Sequence, residues 1–294
     1  MSPRDVLLAL LVVAIWGFNF VVIKVGLATV PPLLMTAARF FLAAVPAVFF
    51  VARPACAWRW VVGFGLVLGV AKFSALLIAM KIGMPAGLSS LVLQTQAFFT
   101  MAFAVVFLRE RPLPVQIAGA VVAFLGVAVI ALARSGGAGA GLGPLLLVLV
   151  AAACWGLANI VAKKAGRVNM LAFVVWSSLV APLPLLALSL IFEGPQAIAT
   201  AVRDMTPLAC GTILFQAWPT TLLGFGIWTA LLSRLPVATV APFSLLVPVA
   251  GIASAAWVLG EPLGAREIAG SALVFVGLLA NVFGPRLAAR LRRG

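Results

Sequence analysis

Arg39 and Lys72 stand inside near-continuous apolar stretches, Met-Thr-Ala-Ala-Arg-Phe-Phe-Leu and Gly-Val-Ala-Lys-Phe-Ser-Ala-Leu. A lipid-facing charge near the middle of a bilayer costs about 2.5–3.5 kcal/mol on insertion scales, so both cations must face protein or a water-filled cavity. No acid lies near either one in sequence. Two roles stay open for each: a structural group hydrogen-bonded to carbonyls and water, or a point of attraction for an anionic ligand group such as the carboxylate of an amino acid or organic acid. Lys24 falls nearer the end of its stretch, where a lysine snorkels to the interface beside a helix C-terminus.

Around these cations the sequence supplies amides and aromatics at helical spacing. Trp155, Asn159 and Lys163 recur every fourth residue and form one stripe, Trp16 and Asn19 share a face, Ser90, Gln94 and Phe98 form a further stripe, and Gln216, Thr220 and Thr221 punctuate an otherwise apolar run. Any one of these groups can serve as hydrogen-bonding glue between helices. Converging, they would suit a zwitterion with an apolar side chain. The candidate substrate-binding set is therefore Trp16, Asn19, Arg39, Lys72, Gln94, Phe98, Trp155, Asn159 and Gln216. Trp58, Trp60 and Trp257 suit the interfacial aromatic belt better.

What is missing narrows the chemistry. The chain has no His and no Tyr, and its six acids, Asp5, Glu110, Glu193, Asp204, Glu261 and Glu267, all fall at predicted helix ends or loops. A proton relay or tight sodium site uses buried Asp, Glu or His, so facilitated exchange or uniport is the expectation. A Ser-His pair, an intramembrane aspartate pair and a His-rich metal centre all lack their parts, so no catalysis, cofactor or metal is expected. Cys56, Cys154 and Cys210 are scattered and form neither a disulfide framework nor a zinc motif.

The elements that must position these residues are membrane spans. The composition, 65% hydrophobic and 9% charged, leaves too little polar surface to cover a water-soluble domain. Ten apolar runs of crossing length are readable, about 5–27, 32–53, 59–80, 86–108, 114–133, 144–163, 171–192, 208–231, 237–259 and 266–286. None alternates in the manner of a membrane barrel. Of the Lys and Arg outside the spans, all lie on the N-terminal side except Lys81, Arg134, Arg203 and Arg266. That bias places both termini in the cytoplasm. It also explains the net charge of +14 without nucleic acid, the cluster from Arg286 to Arg293 serving as a topology anchor beside anionic lipid.

The second half repeats the first. Glu110, Gly119, Phe124 and Gly126 recur 151 residues later as Glu261, Gly270, Phe275 and Gly277. Nearer the start the offset is 139, taking Trp16-Gly17 and Lys24 onto Trp155-Gly156 and Lys163, and extra residues in the loop near Glu193 to Pro207 account for the difference. The halves read as residues 1–134 and 144–294, joined by a Gly/Ala-rich connector at 135–143. Five helices per repeat force the second to enter the membrane from the opposite face, giving an all-α, inverted-topology duplication with its site at the pseudo-symmetry axis. By these offsets Ser178 and Leu223 correspond to Arg39 and Lys72, so the fold does not itself require the two cations.

Ten helices in two fivefold repeats, Trp-Gly followed by Asn and Lys in the first helix of each (Trp16, Gly17, Asn19, Lys24; Trp155, Gly156, Asn159, Lys163), and Glu-Arg-Pro or Glu-Pro closing the fourth (Glu110 to Pro112; Glu261-Pro262) resemble the EamA-type branch of the drug/metabolite transporter superfamily. Within it, the chain resembles bacterial amino-acid exporters of the YddG type. The resemblance covers essentially the whole chain. It implies a central cavity lined mainly by helices 1, 3, 4, 6, 8 and 9, with helices 5 and 10 behind, and export of small metabolites across the bacterial inner membrane.

Prolines and helix-end acids suggest where motion occurs. Pro219, Pro242 and Pro248 interrupt spans and are candidate hinges or static kinks. Gly119, Gly126, Gly270 and Gly277 are close-packing positions. Glu110 and Glu261 sit where helix C-termini disfavour acids: they cap a helix, pair with Arg111 or Arg266, or form a gate salt bridge. The expectation is an exporter of neutral or aromatic amino acids working by alternating access, its partners being the small-molecule substrate and the lipid bilayer. Nothing in the sequence sets an oligomeric state, and a monomer suffices for the expected site. The competing readings are a transporter of other small metabolites or drugs and a non-transporting membrane subunit.

Overall fold

A computed structural model describes the backbone of residues 1–135 and 141–291, and the side chains of 1–133, 141–236 and 239–284. The middle of the expected connector, residues 136–140, and the side chains of the basic cluster from Arg286 to Arg293 lie outside the described residues. Every regular element among the described residues is a helix. The spans are α1 (Pro3–Gly26), α2 (Pro32–Val48), α3 (Trp58–Lys81), α4 (Ala86–Leu108), α5 (Pro114–Ser135), α6 (Gly143–Lys164), α7 (Met170–Phe192), α8 (Pro207–Arg234), α9 (Ala241–Leu259, preceded by the short turn Val237–Val240) and α10 (Ala265–Leu291). Among the described residues nine are long and apolar enough to cross a membrane, and α2 is shorter, with 17 residues. In hydrocarbon each backbone polar group needs an internal partner, which only helices or closed barrels provide. This is a multi-pass helical membrane protein.

Part of the 12-residue difference between the two repeat offsets forms a short helix, Pro195–Arg203, between α7 and α8. Elsewhere the repeat extends to irregularities of the backbone. Eight-residue π-helical stretches occupy Gly65–Lys72 in α3 and Gln216–Leu223 in α8, again 151 residues apart. Proline does not account for both, since Pro219 in the second corresponds to Leu68 in the first. A 3-10 turn interrupts α4 at Leu93–Thr95, and its counterpart at Ala241–Leu246 opens α9. Pro242 is the second residue of the latter turn, and Pro248 the second residue of the α-helical segment after it, places where a missing N–H is tolerated.

The four duplicated glycines make a reciprocal seam between α5 and α10. A Cβ on Gly119 would meet the carbonyl oxygen of Gly277 at 2.8 Å, and one on Gly277 would collide with the carbonyl of Gly119. Gly126 and Gly270 oppose each other likewise, at 2.5 and 2.7 Å. Backbone lies on backbone here, the close approach that small residues permit between membrane helices. Lipid-facing side chains ring the outside, with Phe50 and Trp257 each 88% exposed.

The apolar core is concentrated at the end of the bundle opposite the termini, where Ile23, Met35, Leu76, Met80, Leu88 and Leu91 are fully buried against one another. Toward the end that carries the termini, the corresponding space is not filled, and a cavity occupies it.

The seam yields a direct test. Gly277→Ala should lower the melting temperature of the purified protein, by about 1–3 kcal/mol of overpacking. Gly211→Ala, which adds a methyl to open space within α8, should leave stability unchanged or raise it by up to about 1 kcal/mol. Equal melting temperatures for the two variants would contradict the reciprocal contact.

Candidate functional site

A cavity of about 440 Å³ runs from the middle of the bundle toward the terminus-bearing end, walled by α1, α2, α3, α4, α6, α7, α8 and α9. Its deep part holds Arg39 and Lys72. Both are almost fully buried, at 2% and 4% exposure. The guanidinium carbon of Arg39 lies 4.2 Å from the centre of the Phe73 ring and 5.2 Å from that of Phe40. The Lys72 ammonium is 3.4 Å from the same Phe73 ring and 4.8 Å from the Trp155 ring. Two cations thus share one aromatic face system, and they can be no farther apart than those two distances to Phe73 together.

Their other partners are neutral. Arg39 donates through Nη1 to Gln216 Oε1 at 3.4 Å and through Nη2 to Thr221 Oγ1 at 3.1 Å, and its buried Nε has no partner among the described residues. Gln216, itself fully buried, stands behind Arg39 and donates to the Thr212 carbonyl at 3.0 Å. None of the six acids lines the cavity. A cation–π contact supplies roughly 0.5–2 kcal/mol, whereas taking an ion out of water costs several. No carboxylate of the cavity wall offsets these two basic groups.

The π-helical stretches explain how α3 and α8 present these groups. Widening the turn displaces Lys72 and Phe73 from the face that a 3.6-residue period assigns them, and in α8 it lets Thr221 Oγ1 donate to the Gln216 carbonyl five residues earlier, at 2.8 Å. The common offset of these stretches fixes Leu223 as the counterpart of Lys72. Leu223 is 48% exposed on the outside of the bundle, while Ser178, the counterpart of Arg39, lines the cavity.

The remaining candidates divide. Trp16 lines the cavity, donates through Nε1 to the Thr220 carbonyl at 3.0 Å and packs on Phe225 and Trp228. Asn19 accepts from Thr220 Oγ1 at 3.0 Å, and Gln94 donates to the Ser244 carbonyl at 3.3 Å. Asn159 donates to Gln96 Oε1 at 2.8 Å and to Thr100 Oγ1 at 3.0 Å. Phe98 is a correction: it lies outside the cavity wall, its ring 6.2 Å from Phe124 of α5. The 3-10 turn at Leu93–Thr95 advances about 120° per residue instead of 100°, which adds roughly 60° between Ser90 and Phe98 and breaks the stripe at Gln94.

Phe73, Gln96, Trp228 and Ser244 belong to the wall and were not singled out from sequence. Gln96 had a signal, its four-residue spacing to Thr100. Phe73 had none, because the π turn that aims it leaves no mark in the apolar pattern.

The opposite end is shut by acids and lysines on helix termini. Glu193 accepts from the backbone N–H groups of Leu33 and Leu34, at 2.6 and 3.1 Å, and from Ser189 Oγ at 2.5 Å, so the end of α7 caps the start of α2. Glu261 accepts from the amides of Ala86 and Gly87 at 3.0 and 3.1 Å, capping α4. Lys24 donates to the carbonyls of Met80 and Met84 at 2.8 and 3.4 Å, at the end of α3. These contacts match the partial charges at helix ends. At the terminus-bearing end, Glu110 is paired instead with Lys163, and that pair is about half exposed to solvent. Arg111 and Arg266 are not the partners of either glutamate among the described residues.

Two spans of the chain, residues 4–132 and 142–283, match the EamA-like transporter family, one copy for each half. The chain belongs to the EamA-like transporter family. It is 46% identical to a "Probable amino-acid metabolite efflux pump" of Salmonella typhimurium, over 98% of this chain and 97% of that protein, and 43% identical to one of the same description from Escherichia coli, over 97% of each. A "Probable terminal-alkyne amino-acid exporter" of Streptantibioticus cattleyicolor is 30% identical over 92% of this chain. A solved crystal structure with 19% identity superposes with a TM-score of 0.54 over 95% of this chain and 96% of that one, a likeness of fold.

The two cations of this EamA-like transporter differ in a way that stability measurements can read. The Lys72 ammonium donates to no described residue, so Lys72→Met removes a buried charge and orphans nothing; its melting temperature should hold or rise, by up to about 1–4 kcal/mol. Arg39→Met strips a donor from Gln216 and Thr221, and should fall below Lys72→Met by about 1–3 kcal/mol. The reverse order of stability would contradict the partner assignments.

Proposed function

We propose that this EamA-like transporter exports amino acids with apolar or aromatic side chains, over a broad range, from the cytoplasm across a bacterial inner membrane. The observation that carries the reading is the cavity itself. It has paired cations at mid-membrane for a carboxylate, neutral amides beside them, and an apolar mouth of Trp16, Phe225 and Trp228 for a side chain. The amino-acid exporters among its relatives support it. The basic bias of the N-terminal side supports cytoplasmic termini, which makes the described state open inward. No step requires a cofactor or a catalytic group, and one chain encloses the whole cavity.

The test is uptake of labelled leucine and phenylalanine into liposomes holding the purified protein, at imposed pH and sodium gradients. Flux should be present without either gradient and fall about tenfold or more in folded Arg39→Gln and Lys72→Gln. Flux of other metabolites alone would change the cargo, and no flux of any solute would favour a non-transporting subunit.

Inverted symmetry supplies the return half of the cycle. Glu110 is the counterpart of Glu261, and Val237 and Ala238 are the counterparts of Ala86 and Gly87. In the outward-open state Glu110 leaves Lys163 and caps the start of α9, while Glu261 releases α4 and pairs with Lys24. Pro219 and Pro242 lie in the π-helical and 3-10 regions that absorb the bending, and Pro248 lies in the first turn of the α-helical segment that follows the latter.

Each glutamate thus exchanges an exposed ion pair, contributing about 0–1 kcal/mol, for a cap of charge-assisted hydrogen bonds worth more. Glu261→Gln should disfavour the inward-open state and Glu110→Gln should favour it, each by about tenfold in population. Labelling of Ser244→Cys by an impermeant thiol reagent from the cytoplasmic side, in a background lacking Cys56, Cys154 and Cys210, reads this directly. Changes of the same sign in both variants would sink the exchange.

A further inference from the structure

We infer that the preferred substrate carries a net negative charge, an apolar carboxylate whose amine is masked or absent, such as an N-acylated amino acid or a 2-oxo acid, and that the membrane potential drives its export. This narrows the proposed function to a preference, free amino acids being the slower substrates, and rests on the same placement of a carboxylate at Arg39 and Lys72. A free amino acid brings one carboxylate and one ammonium. The cavity has two cations for the first and no acid for the second.

Aromatic faces, the usual substitute for an acid in binding an ammonium, are already taken where they lie deepest. Phe73 is shared by Arg39 and Lys72, and Trp155 is faced by Lys72. An ammonium two bonds from the bound carboxylate carbon would sit beside both cations at low dielectric, and like charges there repel strongly. The neutral acceptors suit the N–H of an acyl amide, which brings no charge beside the two cations. Gln94 and Asn159 use their NH2 groups on Ser244, Gln96 and Thr100, and their own side-chain oxygens take no hydrogen bond from a described residue, so they are available to the N–H of an acyl amide. The buried Nε–H of Arg39, a wall residue, has no partner and is a donor awaiting an acceptor, and the unpartnered hydroxyl of Ser177, also in the wall, can donate to one as well.

Charge also decides the energetics of the cycle. The cations stay with the protein in both states, so an anion bound to them adds one negative charge to what crosses outward. An inside-negative potential pulls that charge in the export direction, and no titrating side chain in the spans is needed for coupling.

Liposomes holding the full chain, loaded in turn with N-acetyl-phenylalanine, phenylalanine and phenylalanine amide, with potentials set by potassium gradients and valinomycin, provide the test. The acetylated anion should leave at least tenfold faster than the zwitterion, and the cationic amide should leave slowest. A tenfold potassium ratio, inside negative, should shift the steady distribution of the anion by about tenfold and leave that of the zwitterion unmoved. Lys72→Gln, whose folding is checked by its melting temperature, should narrow the anion-to-zwitterion ratio at least threefold. Zwitterion flux equal to or above that of the anion, or anion flux indifferent to the potential, would overturn the inference while leaving amino-acid export intact. No flux of any of the three would remove the proposed function and the inference with it.

Discussion

A carboxylate resting on the first backbone amides of a neighbouring helix is the contact on which this architecture turns. At the edge of a bilayer those N–H groups have no intrahelical acceptor, and the helix end is electropositive. Glu193 on α2 and Glu261 on α4 answer both needs, and Lys24 does the converse on the carbonyls at the end of α3. Each contact ties an element of one half to an element of the other or to its neighbour in the same half. With that end tied, the core there is dense and the free space lies at the other end.

The interior then poses a different problem, charge without countercharge. Arg39 and Lys72 are held by an aromatic ring and by amide and hydroxyl groups, which orient them and neutralise nothing. The irregular backbone is what makes the arrangement possible. A π-helical stretch in α3 turns Lys72 and Phe73 together toward the axis, and its duplicate in α8 supplies Thr221 and Gln216 from across it. Departures from the regular helix thus sit beside the charged groups and recur at the same register in both halves.

Much of this was legible in the residues. The spans are readable because hydrocarbon thickness sets a minimum apolar length, and the duplication because Glu, Gly and Phe landmarks survive at fixed offsets. The two buried cations declare themselves by their cost. Side-chain direction is where reading by period fails. The stripe of Ser90, Gln94 and Phe98 assumes an unbroken α-helix, and a 3-10 turn of three residues suffices to send Phe98 to the back of the bundle. Phe73 is hidden for the related reason that a π turn in an apolar run has no compositional signature. The partner of Glu261 is invisible for a third reason: its acceptors are satisfied by backbone, which carries no side-chain identity to match.

The seam between α5 and α10 has a consequence for how such a molecule could arise. Because Gly119 meets Gly277 as its counterpart Gly270 meets Gly126, the surface is self-complementary under a half-turn in the membrane plane. A single five-helix chain inserted both ways round would find its own reversed copy across that surface. Joining the two copies in one polypeptide fixes their ratio and their opposite insertion, and frees each copy to lose what the other keeps, as Leu223 stands where its twin is Lys72.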